Sequence, residues 1–231
     1  MIGRLNTGIP GFDELVEGGL LEGSANLLTG ATGTGKTLFS LQFIINGATQ
    51  GESGVYITLE ESEDDLKQDI ETIGLSSAYA ENSGKIKLVS YPLYETDDFL
   101  SFIQETLTKF KPKRIVIDSI SVISMSLEDD FERRKEIYKI INLLKQVNCT
   151  SLILSEIPGD STELEASEKL SRYDVEEFLC DSVIVLHYAG IGGEADRALR
   201  VIKMRRTNHV RGPIPMTIGN QGMKVLKNKK R

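Results

Sequence analysis

Apolar residues recur along the chain in short continuous runs, separated by stretches in which they keep to one helical face. Ala25–Thr29, Val55–Leu59, Ile86–Ser90, Arg114–Asp118, Ser151–Ser155 and Val183–His187 have strand length, and most are apolar on both faces. Between them, an apolar helix follows the first strand to about Ala48, and Glu63–Ile73 reads as an exposed helix. Phe99, Phe102, Ile103, Thr106, Leu107 and Phe110 fall on one helical face, and Ile137, Ile140, Ile141, Leu144 and Val147 mark another helix. From Ala198 onward the pattern becomes strand and turn, with runs at Leu199–Met204, Ile214–Ile218 and Met223–Leu226. The alternation predicts an α/β fold: a mainly parallel central sheet, helices on both faces, and antiparallel C-terminal edge strands. No internal repeat, low-complexity tract or linker interrupts it, so residues 1–231 read as a single domain.

Composition narrows this picture without changing it. A chain of 231 residues, 40% hydrophobic and 26% charged, has the makeup of a globular protein able to bury a full core. Cys149 and Cys180 have no metal-ligand spacing, which fits free thiols in a reducing compartment. No apolar run is long enough to span a membrane and no leader pattern opens the chain, so a cytoplasmic location without membrane attachment is expected. The net charge of −7 disfavours nucleic acid on average. Yet Arg197, Arg200, Lys203, Arg205, Arg206, His209 and Arg211 crowd one segment, and the tail ends Lys227-Asn228-Lys229-Lys230-Arg231. The tail reads as a solvated terminus.

Three segments carry chemistry. Gly30-Ala31-Thr32-Gly33-Thr34-Gly35-Lys36-Thr37 fits G-x-x-x-x-G-K-[ST], with a strand before it and a helix after it. Glycines let backbone N–H groups close around phosphate oxygens, and the helix N-terminus adds its dipole. Lys36 serves the β- and γ-phosphates, Thr37 offers a hydroxyl to Mg²⁺, and Thr32, Gly33, Thr34, Gly35 and Leu38 complete the candidate ATP/ADP site. Arg114-Ile115-Val116-Ile117-Asp118 is a strand ending in an acid that can reach the same Mg²⁺. Val55-Tyr56-Ile57-Thr58-Leu59-Glu60-Glu61 places two carboxylates at a strand's carboxyl end, where parallel sheets bind ligands. Glu60 is the candidate general base and Glu61 its support, since adjacent strand residues point to opposite sides. The expected activity is Mg²⁺-dependent ATP hydrolysis.

The order of P-loop, Glu60-Glu61 and Asp118 resembles the RecA superfamily. It is most similar to KaiC-type domains and the archaeal RadA-like paralogues. The likeness extends to Thr7-Gly8-Ile9-Pro10-Gly11-Phe12-Asp13-Glu14-Leu15, Gly18-Gly19-Leu20, Val175-Glu176-Glu177-Phe178 with Asp181, and Lys203-Met204-Arg205 with Thr207 and His209. The resemblance implies a homo-oligomer, such as a hexameric ring, with nucleotide held between subunits. It further implies that Lys203 and Arg205 act in trans on the γ-phosphate of the next subunit, and that Glu156 stands where the family carries a γ-phosphate sensor. For the basic segment two other readings stand beside that finger: an edge strand guarded by charge, and a nucleic-acid patch.

Departures from the family pattern set expectations too. Val175-Glu176-Glu177-Phe178 replaces the Ser-Thr pair of the clock protein's second domain, so clock-type autophosphorylation is not expected. Arg206 stands where the family has Gly after Lys-x-Arg. The candidate DNA loops near 121–134 and 158–172 carry Glu128, Asp129, Asp130, Asp160, Glu163, Glu165 and Glu168, which repel phosphates. Two functions follow. The first is a KaiC-like regulatory or assembly ATPase, acting on itself or a protein partner. The alternative is a RadA-like paralogue that binds single-stranded DNA and assists repair or recombination.

Overall fold

In the computed structural model, which describes residues 3–92, 99–127, 129–157, 170–173, 175–190 and 196–226, the apolar runs become the centre of a nine-stranded sheet. In chain order the elements are β1 (Arg4–Leu5), β2 (Leu20–Leu21), β3 (Ala25–Gly30), α1 (Lys36–Thr49), β4 (Gly54–Thr58), α2 (Glu63–Thr72), α3 (Ser76–Glu81) and β5 (Ile86–Ser90). There follow α4 (Phe99–Phe110), β6 (Arg114–Asp118), α5 (Ile120–Met125), α6 (Asp130–Gln146), β7 (Thr150–Glu156), α7 (Glu176–Leu179), β8 (Ser182–Tyr188), β9 (Arg197–Met204), β10 (Ile214–Gly219) and β11 (Gly222–Val225). The sheet runs β11-β10-β9-β8-β3-β7-β6-β4-β5, while β1 and β2 pair separately. The six strands from β8 to β5 are parallel, and β9, β10 and β11 continue the sheet antiparallel, as the change of pattern after Ala198 predicts.

Side-chain alternation divides the core into two layers. Leu28, Tyr56, Val116, Leu152 and Ile184 face one side, against α1, α2 and the inner faces of β9 to β11. Leu27, Val55, Ile57, Ile115, Ile117, Ile153 and Val183 face the other, against α4, α5 and α6. Both faces of each central strand are therefore dry, which is why the strands read as unbroken apolar runs. Helix α1 is buried over most of its length, consistent with its position between the sheet and α2. In contrast, α2 is amphipathic and begins with a capping box, in which Ser62 and Asp65 satisfy each other's backbone N–H groups.

Two local features bear on the site. Arg114 at the start of β6 is fully buried: its Nε meets Glu52 Oε2 at 2.5 Å, its Nη1 donates to the carbonyls of Asn6 and Phe43, and its guanidinium lies 4.6 Å from the Phe43 ring centroid. It pins α1 to the sheet at the end away from the P-loop. Between β8 and β9 the register slips, so that Ile184 faces Val201 but Val183 faces Lys203, leaving Ile202 as an inserted residue.

Candidate functional site

The site lies at the carboxyl ends of β3, β4, β6 and β7, where a parallel sheet leaves a crevice. A cavity of about 380 Å³ there is lined by Thr32, Gly33, Gly35, Lys36, Thr37, Leu38, Glu60, Glu61, Asp69, Asp118, Ser119, Glu156, Arg197 and Ile218. Six of the candidate nucleotide contacts named from the sequence thus share one wall. Thr34 differs: it is buried and turns its hydroxyl to Ala31 O at 2.8 Å, bracing the turn. Gly35 caps α1 at φ 98°, and a Cβ there would meet Ile218 Cδ1 at 2.6 Å. Only glycine fits that junction of loop and β10.

Lys36 Nζ donates to Gly30 O and Ala31 O, both at 3.0 Å. Burial lowers its pKa, while Glu156, Asp118 and Glu60 oppose that shift through their charges. Asp118 accepts from Tyr56 Oη at 2.5 Å and from Thr37 Oγ1 at 3.2 Å, both on Oδ2. Burial pushes the Asp118 carboxyl up to about 6, with the Tyr56 and Thr37 bonds and Lys36 opposing. Burial also holds the Tyr56 phenol well above its ordinary value, so it remains a donor at neutral pH. A hydroxyl and a carboxylate side by side at the cavity wall are the hard oxygen donors that Mg²⁺ prefers. Thr37 and Asp118 fit that ion.

The two glutamates lie beyond the end of β4, so strand alternation does not part them, and both line the cavity. Their N–H groups both donate to Thr58 Oγ1, which folds the end of β4 into a tight turn. Glu60 then accepts from Ser119 Oγ at 2.7 Å, which fixes its carboxylate beside Asp118. Glu61 is half-buried with no hydrogen-bond partner on Oε2, and its pKa is raised to about 7, first by burial and then by Asp118, Asp69, Asp65 and Glu60. Asp69, from α2, is likewise raised by burial and by Asp65. Glu156 closes the far wall, its N–H donating to Ser121 Oγ at 3.0 Å and its carboxylate 3.7 Å from Arg172.

The basic segment resolves into three separate pieces. Arg197, at the pocket end of β9, donates to Gly33 O at 2.8 Å and lies 3.9 Å from the Tyr188 ring centroid. Arg200, His209 and Arg211 line a second cleft of about 310 Å³. Lys203 stands at the other end of β9, about 20 Å along the strand from Arg197 at about 3.3 Å per residue, and Arg205 lies just past that end. There Lys203 Nζ donates to Glu177 O at 2.9 Å and Cys180 O at 2.7 Å, and Arg205 lies 3.5 Å from Asp181. Burial and the Arg205 charge lower the Lys203 pKa. Burial alone would raise Asp181, but its bonds to Lys145 and the Ala25 N–H, with the Lys145 and Arg205 charges, outweigh that and hold it low. Neither Lys203 nor Arg205 lines the cavity of its own chain.

Phe12 is core, packed edge-on to Phe39 at 5.5 Å, and His209 is exposed. Cys149 and Cys180 are separate buried thiols. Glu128, the acids of 158–169 and the basic tail lie outside the described residues. Among the described residues no helix is long and apolar enough to cross a membrane. Tyr56, Asp69, Ser119 and Ile218 belong to the site without having been picked out from the sequence.

With this geometry in place, known proteins decide the family. A family model described as "ATPase: KaiC" matches residues 5–230. The chain belongs to the KaiC family of ATPases. It is 32% identical over 231 residues to the circadian clock protein KaiC3 of Synechocystis, covering 95% of this chain and 45% of that one. It is 33% identical to the circadian clock oscillator protein KaiC of Nostoc, again covering 96% of this chain and 44% of its relative. The chain thus spans less than half the length of these clock proteins. A crystal structure of a KaiC-like protein from the hyperthermophilic archaeon Pyrococcus horikoshii superposes with a TM-score of 0.84 at 40% identity, covering 98% of this chain and all of that one. The KaiC-like fold expected from the sequence, with its parallel core and antiparallel C-terminal strands, is the fold observed.

Proposed function

We propose that this protein is a Mg²⁺-dependent ATPase that works as a self-contained regulatory switch, with nucleotide bound between copies of the chain. The observation that carries the reading is the convergence of Lys36, Thr37, Asp118, Glu60 and Glu156 on one cavity. Lys36 and the loop N–H groups would hold the phosphates, and Thr37 and Asp118 would hold Mg²⁺, which when bound neutralises charge on the β- and γ-phosphates. Glu60, which accepts a hydrogen bond from Ser119 Oγ, would take a proton from the attacking water. Glu61 stays next to it as a second carboxylate with a raised pKa.

Assembly enters through the placement of Lys203 and Arg205. They cannot reach their own chain's cavity across the length of β9, so a role at a γ-phosphate requires a neighbouring subunit. The division of the basic segment into three pieces supports a finger more than a continuous nucleic-acid track, which needs adjacent phosphate contacts.

Steady-state ATP hydrolysis with Mg²⁺, with and without single-stranded DNA at low salt, tests the reading. Turnover that ignores DNA is the expected result. Strong stimulation by DNA would replace it with the recombination-accessory reading, and no Mg²⁺-dependent turnover would remove the ATPase.

A further inference from the structure

Sheet register brings an aromatic hydroxyl to the metal side of the cavity. In the pairing of β4 with β6, Tyr56 lies opposite Val116 and Thr58 opposite Asp118. Tyr56 and Asp118 are thus diagonal neighbours, and the two-residue period puts both on the face that carries α1. The ring of Tyr56 is fully buried among that layer's apolar side chains, and its hydroxyl emerges beneath the cavity to meet Asp118 Oδ2 at 2.5 Å. Thr37 Oγ1 reaches the same oxygen at 3.2 Å from the first turn of α1. One carboxylate oxygen therefore accepts both hydroxyl hydrogen bonds.

We propose that Tyr56 is a positioning residue for Mg²⁺: its hydroxyl fixes the rotation of the Asp118 carboxylate, so that Thr37 and Asp118 are aligned before the ion arrives. The inference rests on Thr37 and Asp118 being the metal-side pair. The two hydroxyls differ in what they can give. Thr37 is itself the candidate metal ligand, so its proton is not a fixed anchor for Asp118. Tyr56 is built into the sheet, and its hydroxyl makes the shorter of the two bonds to Asp118. A phenylalanine would fill the same volume of the core but leave the carboxylate to rotate, and the loss would fall on the metal rather than on the nucleotide.

The test is Tyr56→Phe, read by binding of the fluorescent analogue methylanthraniloyl-ATP, first in EDTA and then across a Mg²⁺ titration. Affinity in EDTA should be little changed, because Tyr56 reaches the P-loop only at the metal-side hydroxyl of Thr37 and not at Lys36 or the glycines. The Mg²⁺ midpoint should rise about tenfold or more, the effect of losing one hydrogen bond to a charged group. In an Asp118→Asn background the same substitution should add nothing. An unchanged midpoint, or an equal loss of affinity in EDTA and in Mg²⁺, would overturn the inference and leave Tyr56 as core packing. If Tyr56→Phe fails to fold, 3-fluorotyrosine at position 56 keeps the ring while changing the donor strength of its hydroxyl. The midpoint must then still move, and a fixed one overturns the inference. Wild-type binding that is indifferent to Mg²⁺ would instead sink the metal-site reading itself.

Discussion

Replacing Glu61 by Gln should stabilise the nucleotide-free protein at alkaline pH and not at acid pH. Glu61 is raised from 4.5 to about 7 by burial and by the charges of Asp118, Asp69, Asp65 and Glu60. A carboxyl whose folded-state pKa lies above its unfolded value favours folding fully below about 4.5, and that contribution is lost as the pH climbs through 7. For a sealed group the shift would correspond to roughly 3 kcal/mol at about 1.4 kcal/mol per unit. Glu61 is only half-buried, so solvent screening reduces this to about 1 kcal/mol. Glutamine keeps the size of the side chain and removes the charge. Thermal unfolding in EDTA should therefore show the variant melting higher than wild type by about 2–4 °C at pH 8. The gap should close toward pH 5. Asp118, held near 6, titrates in both proteins and largely cancels from the comparison. A difference in melting temperature that is constant from pH 5 to pH 8 would refute the idea that like charge and burial strain this corner of the cavity.

Three further outcomes are expected. Glu60→Gln should bind ATP as wild type does but hydrolyse it about 10²–10⁴-fold more slowly in single-turnover assays; full activity would move the base elsewhere. Mixing Arg205→Ala with Lys36→Ala chains should restore part of the activity that neither has alone, because some mixed interfaces join an intact P-loop to an intact finger; no recovery in a demonstrated mixed assembly would count against action in trans. Glu52→Ala leaves the buried Arg114 guanidinium without its carboxylate. It should lower stability by about 3 kcal/mol in urea unfolding, and a loss near zero would show that the Asn6 and Phe43 carbonyls suffice.

Much of the site was readable because it is local. The P-loop is one uninterrupted octapeptide, and a strand-end acid such as Asp118 is visible from the run before it. What escaped depends on contacts between segments far apart in the chain. Tyr56 sits in an apolar strand where an aromatic is expected, and its tie to Asp118 appears only when the β4–β6 register is known. Asp69 lies on an exposed-looking helix whose first turns happen to border the cavity. Ile120–Met125, part of the stretch that reads as a candidate loop, forms α5 because burial in the second core layer outweighs the weak helix propensity of its β-branched residues. The basic segment looked like one patch, since sequence proximity alone does not say which side of a strand each residue takes.

The side each basic residue takes depends on the single inserted residue between β8 and β9. In a strand of strict alternation, Arg197, Leu199, Val201, Lys203 and Arg205 would all look the same way, toward α1. Leu199 and Val201 do so, packing in that layer. Past Ile202 the phase reverses: Lys203 pairs with Val183, a residue of the opposite layer, and its ammonium reaches the carbonyls around α7. One extra residue thus makes β9 a two-sided arm, with one end clasping the loop of its own chain and the other presented from the reverse side of the sheet. Deleting Ile202 would leave every charge in the strand and still point Lys203 and Arg205 at the wrong side of the molecule.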